Sequence, residues 1–243
     1  MAYQNMINKN KNVGTVIFIV EGEVKEFQIL KHIFNKILGY NYVSLGKDGL
    51  IKESYISKDN NSEIIVANTS NSNISSINKD DYLSKIRNTL LKELNRNIKY
   101  AKIYYVWDRD QDSNKTKVVK ELLETLDDDI VNGKLILSYP CIEVYELSNY
   151  DKRLHTKEFV SAKEAKSALK NKKIKLKHIN ETTLLTAYNN MITSLKNYQI
   201  NEFKYPESNI KVFNKEEEYF KDYHKYQALS LVSYILYDLE ILI

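Results

Sequence analysis

Three groups of acidic residues in this chain each stand just past a short apolar run. Glu21-Gly22-Glu23, with Glu26 further on, follows Thr15–Val20; Asp108-Arg109-Asp110, with Asp112, follows Ala101–Trp107; and Glu143 comes after Lys134–Ser138 and the segment Tyr139-Pro140-Cys141. Ionised carboxylates gathered in one place repel one another unless a cation offsets them. Hard divalent ions select oxygen ligands, and Mg²⁺ usually takes only one or two carboxylates, completing its shell with water and substrate phosphate oxygens. The chemistry such a set supports is metal-assisted cleavage of a phosphodiester. Side chains two apart in an extended segment share a side, so Asp108 and Asp110 are expected to face one way and Arg109 the other. Each piece alone also has an ordinary reading. EGE and DxD occur in solvated turns, Asp112 is placed to cap the helix that follows it, and Glu143 reads as a surface helix residue. What sets the three apart is their common position at the ends of buried strands.

The elements that must position them are legible from periodicity. TVIFIV (15–20), AKIYYVW (101–107) and KLILS (134–138) are unbroken β-branched, aromatic and aliphatic runs, the pattern of strands covered on both faces of a parallel sheet. Between them, Phe27, Leu30, Ile33, Phe34, Ile37 and Leu38 recur at helical spacing over 24–38, with Gly39 where a helix stop belongs. Further helices are expected over 80–97 and about 115–126. Residues 46–80 read as loop apart from a strand at Glu63–Asn68. Strands alternating with helices predict an α/β fold, a doubly wound and mostly parallel sheet, whose sites lie at the carboxyl ends of the strands. The texture changes near Tyr150, so the chain divides into a catalytic domain over 1–150 and a mostly helical C-terminal elaboration over 151–243.

Composition bounds the rest. With 243 residues and 43% hydrophobic content, the chain can bury one full core and carry an appended unit. The net charge is +4, which is not the strongly basic balance of a nucleic-acid coat protein, so a polyanionic partner must be met locally. One cysteine, Cys141, excludes an internal disulfide and a multi-cysteine zinc site. The N-terminal residues lack a signal-peptide core, and the apolar stretch 226–243 is broken by Asp238 and Glu240. A cytoplasmic protein without a membrane partner is expected.

The segments VIFIVEGEVKEFQIL (16–30), IYYVWDRDQD (103–112) and YPCIEVYEL (139–147) resemble, in order and context, the motifs of the Toprim superfamily, and most nearly those of RloB-like and AbiL-like bacterial defence proteins. The resemblance covers about residues 14–150 and implies a Toprim-like core. It also implies a nuclease acting on RNA or DNA in defence against phage through abortive infection. On it, Glu21 is the superfamily's glutamate and holds metal together with the pair Asp108 and Asp110, with Asp112 a further metal ligand; Glu26 is the second acid of the first motif, and Glu143 is a further site carboxylate. Mg²⁺ or Mn²⁺ is the implied cofactor, and a partner defence protein such as an ATPase is implied by analogy. The third motif departs from the family in carrying Tyr139 for the usual Asn and Tyr145 for Trp.

Basic residues that could meet phosphates are Lys152 and Arg153 after the third motif, and Lys172 and Lys173 within the cluster KNKKIKLK (170–177). A solvated face accounts for the cluster equally well. Nineteen tyrosines offer rings for base stacking, though packing explains most of them. Leu229, Val232, Ile235, Leu236 and Leu239 form an apolar stripe suited to self-association or to the chain's own core. A competing reading keeps the acidic edge without turnover, as a defence sensor or effector subunit that binds a cation, a protein partner or nucleic acid.

Overall fold

The computed structural model describes residues 6–22, 24–45, 49–68, 79–95, 98, 100–110, 114–126 and 133–243, with the backbone alone for 79–82. Among the described residues the central sheet has seven strands in the order β2-β3-β4-β1-β5-β6-β9: β1 (Gly14–Val20), β2 (Asn41–Ser44), β3 (Ile51–Ile56), β4 (Ser62–Asn68), β5 (Lys102–Asp108), β6 (Lys134–Tyr139) and β9 (Leu229–Ser230). β7 (Glu158–Phe159) and β8 (Tyr226–Gln227) form a separate antiparallel pair. β1 runs parallel to both β4 and β5, with Val20 in register with Asn68 and Val106. The fold is therefore α/β with a mixed, mostly parallel sheet, as the sequence predicts. Val16–Val20 are fully buried, and removing each such side chain from water contributes about 1.5–3 kcal/mol.

The helices are α1 (Lys25–Lys31), α2 (Lys79–Leu94), α3 (Thr116–Thr125), α4 (Glu143–Ser148), α5 (Ala162–Asn171), α6 (Glu181–Asn197), α7 (Glu207–Tyr223) and α8 (Val232–Asp238). The single helix expected over 24–38 is α1 continued by a π-helical turn, His32–Ile37, closed by the Leu38 N–H donating to the Ile33 carbonyl and by Gly39 at φ +78. The loop expected over 46–80 is corrected by β3. A bulge between Ile51 and Glu53 breaks its alternation, and Lys52 and Glu53 are only half-buried, so IKESYI lacks both the apolar run and the strict period of two.

The chain forms two compact units. One comprises Asn12–Trp107 and Gln111–Ile136; the other comprises Met1–Lys11, Asp108–Asp110 and Leu137–Ile243. In the first, Phe18, Phe34, Tyr104 and Tyr55 stack in a chain of aromatic contacts against the sheet. In the second, α4 packs on α5 through Cys141, Val144 and Leu147 against Ala162, Ala165 and Leu169. The apolar stripe from Leu229 to Leu239 is buried within this same unit. Among the described residues no helix is long and apolar enough to cross a membrane.

Candidate active site

Glu21 is the first residue beyond β1, and Glu26 lies on the first turn of α1. In this unit the Asn114 amide reaches both oxygens of Glu21 at 3.4 Å, and the Asn68 amide, at the end of β4, donates to the Gly22 carbonyl at 2.7 Å. Glu26 is buried and folds against the turn. A Cβ on residue 22 would stand 2.3 Å from its Oε2, so the glycine is what lets this carboxylate sit there. Glu21, Glu26, Asn68 and Asn114 make a polar end to β1 and β4. Neither asparagine is announced by the sequence, because a single amide at a strand end carries no spacing signal.

Asp108, Asp110 and Glu143 belong to the other unit. Asp108 ends β5, and its Oδ1 accepts the Ile142 N–H at 2.7 Å, which ties the DxD segment to the start of α4. The Arg109 N–H donates to the Ser138 carbonyl at 2.8 Å, so the segment continues along β6 past the strand end. The side chains alternate as extended backbone requires: Asp108 and Asp110 are half-buried, while Arg109 is completely buried and pairs with Glu217 of α7. Glu143 opens α4 and is 8% exposed, and its Oε2 is a buried acceptor with no hydrogen-bond donor among the described residues. Burial at a helix's first turn suits a carboxylate, since the open N–H groups there favour negative charge.

Lys166 completes this set. Partial burial acts to lower its pKa, but the carboxylates of Glu143, Asp108 and Asp110 outweigh that and hold the ammonium above the ordinary lysine value. One cation thus answers three carboxylates. The sequence offers Lys152, Arg153, Lys172 and Lys173 as phosphate-binding residues. All four are exposed, the first two on the turn after α4 and the others beyond the last turn of α5, and the lysine on which the acids act is Lys166. Cys141 is fully buried, with its Sγ directed at the Ala162 carbonyl at 3.8 Å. Burial, and then the charges of Asp108 and Glu143, push its thiol far up, which leaves it a packing residue and not a nucleophile. Burial likewise raises Tyr139.

Asp112 lies outside the described residues, as does Glu23. Among the described residues no three His, Cys, Asp or Glu side chains form a ready-made metal cage. The donors present are still of the type a hard cation takes. They are carboxylate oxygens, one of them the buried Glu143 Oε2, which accepts no hydrogen bond among the described residues, and Mg²⁺ asks for few protein ligands when phosphate and water supply the others. No family model, no curated protein and no solved structure matches the chain.

Proposed function

We propose that this protein is a Mg²⁺- or Mn²⁺-dependent phosphodiesterase that hydrolyses RNA or DNA. The motif resemblance extends the proposal to a Toprim-type nuclease of the RloB-like and AbiL-like kind, working in the cytoplasm in anti-phage defence, alone or beside a partner defence protein. The observation that carries the catalytic reading is the bond from the Ile142 N–H to Asp108 Oδ1 at 2.7 Å, which brings the DxD segment at the carboxyl end of β5 to the start of α4, where Glu143 stands. Glu21 enters through the order of the motifs, and its own variant tests it.

Asp108 and Asp110 would hold the ion, with Asp108 fixed by the Ile142 N–H. When bound, a divalent cation polarises the phosphoryl group and stabilises the leaving oxygen. Glu143 Oε2 is the acceptor available to take the proton of the attacking water as the new P–O bond forms. Lys166 sits beside the acids, where its ammonium can pair with a non-bridging phosphate oxygen and offset the charge that builds as the P–O bond to the leaving group breaks.

The test is Asp108→Asn, which keeps an oxygen to accept the Ile142 N–H while removing the charge. Labelled tRNA, single-stranded DNA and duplex DNA are incubated with Mn²⁺. Cleavage by the wild type, with a loss of about a hundredfold or more in Asp108→Asn and in Glu21→Gln at unchanged circular dichroism, supports the hydrolase. Full activity in Asp108→Asn removes the assignment, and silence of the wild type on every substrate returns the protein to the non-catalytic binding reading.

A further inference from the structure

Between residues 163 and 177 the chain carries seven lysines and a single acid, Glu164. Those on α5 are ordered by the helix. At about 100° per residue, Ala162, Ala165 and Leu169 form the stripe packed on α4, and Lys163, Lys166 and Lys170 form a second stripe one residue on, along the shoulder of that face. Ala162 receives the Cys141 thiol on its carbonyl, and Lys166 lies one helical turn further along the same side, so the stripe begins beside Glu143 and the DxD aspartates. Lys163 to Lys170 spans about 10 Å of helix axis. Glu164 accepts the Val160 N–H at 2.7 Å, which turns the only acid of the segment back to the helix start.

Past α5 the basic track continues into an open cleft of about 540 Å³ lined by Tyr150, Asp151, Lys172, Lys173, Ile174 and His178. Lys172 pairs with Asp151 at 2.7 Å, and Lys173, Lys175, Lys177 and His178 are exposed around it. The Tyr150 hydroxyl donates to the Lys175 carbonyl at 3.2 Å, and the His178 ring meets the tyrosine ring edge-on at 6.4 Å and 84°. A ring held in place at the end of a lysine track is the pairing that unpaired nucleotides need, with cations for the phosphates and a π-face for a base.

We propose that Lys163, Lys166 and Lys170 of α5, with Lys173 and the Tyr150–His178 ring pair, form a binding track for single-stranded nucleic acid that leads to Asp108, Asp110 and Glu143. This rests on the phosphodiesterase reading of those carboxylates and names its substrate class. An unpaired strand is favoured over a duplex because a base must leave its partner to stack on Tyr150. A strand is favoured over an anionic membrane because no large apolar side chain is exposed from 163 to 178, and an interfacial helix needs one face to bury in lipid.

The test is fluorescence anisotropy in EDTA, where no cleavage occurs, using a short labelled oligodeoxythymidine, a duplex of equal length and phosphatidylserine vesicles. The wild type should bind the single strand more tightly than the duplex. Lys170→Glu/Lys173→Glu should weaken that binding about tenfold or more and flatten the salt dependence by about 1.4 in log–log slope, roughly 0.7 for each lost phosphate contact. Tyr150→Leu should cost roughly fivefold to a hundredfold with little change of slope. Lys170→Ala/Lys173→Ala serves if the reversed charges disturb folding. Unchanged affinity and slope in both lysine pairs, equal binding of the duplex, or binding to vesicles alone would overturn the track. The two readings separate cleanly. A wild type that binds the strand without ever cutting it keeps the track and loses the hydrolase, whereas lysine variants that bind and cut like the wild type lose the track and keep the hydrolase.

Discussion

The guanidinium of Arg109 stands 2.6 Å from the carboxylate of Glu217, with Arg109 wholly buried and Glu217 on α7. Arg109 is the middle residue of the DxD segment, and its Cζ also lies 5.5 Å from the centre of the Phe213 ring, a cation–π contact from the same helix. The pair therefore sets the orientation of a backbone whose neighbouring residues, Asp108 and Asp110, face the other way.

Removing one partner of a buried ion pair leaves the other charge stranded, at a cost of about 3–5 kcal/mol. Arg109→Ala should lower stability by about 3 kcal/mol, toward the small end because Glu217 keeps some exposure to solvent. The double variant Arg109→Met/Glu217→Leu should recover much of that loss, since apolar groups of similar volume replace both charges. Urea denaturation of the three proteins measures it, and a double variant no better than the single one would show that the pair does more than cancel two buried charges.

Lys166 is the second point at which the site can be probed without breaking the fold. Its side chain is exposed, so solvent screens its attraction to the acids and Lys166→Met should lower the thermal midpoint only slightly. If the ammonium offsets charge on the phosphate as the bond breaks, kcat should fall about a hundredfold or more with KM altered far less. Lys166→Arg should restore part of the rate. Steady-state kinetics on the best substrate found for the wild type decide the matter, and a change confined to KM would reassign Lys166 to substrate capture.

How much of this was visible in the chain follows from what each residue depends on. β1, β5 and β6 were legible because burial on both faces demands unbroken apolar runs, and Glu21 and Asp108 mark where those runs stop. β3 was hidden by its bulge and by Lys52 and Glu53 on its half-covered face. The outward turn of Arg109 from the aspartates was readable from alternation, but its partner was not. Glu217 lies on a helix far along the chain, and no local spacing connects the two. Lys166 was lost among many lysines, although a signal existed in the offset of Lys163, Lys166 and Lys170 by one residue from Ala162, Ala165 and Leu169. A stripe immediately beside a packed face sits against the neighbouring element, and a stripe opposite it would face solvent alone. Asn68 and Asn114 took their roles only from the tertiary fold that brought them to Glu21 and Gly22.

Glu216, beside the Arg109 partner on α7, gives a prediction in pH. Its carboxyl is fully buried, and burial pushes its pKa up to about 8, against the opposing effect of the donors Tyr198 and Gln227. Tyr198 Oη donates to Glu216 Oε1 and stands 2.8 Å from Gln227 Oε1, while the Gln227 N–H donates to Glu216 Oε2 at 3.2 Å. In the unfolded chain the group titrates near 4.5. Below that pH both states hold the proton and the group adds no pH dependence. Between about 4.5 and about 8 the unfolded chain releases the proton while the folded one keeps it, so stability falls as pH rises, by up to about 1.4 kcal/mol per unit. Above about 8 the loss is complete and constant. Glu216→Gln removes the titration and keeps the hydrogen bonds: the amide oxygen accepts the Gln227 N–H, and the amide nitrogen donates to Tyr198 Oη, whose hydroxyl turns to Gln227 Oε1. Urea denaturation of the two proteins across this range should show the variant equal to the wild type in acid and progressively more stable toward neutral and alkaline pH. A difference that stays flat from acid to alkaline pH would mean that the buried carboxyl ionises as readily folded as unfolded.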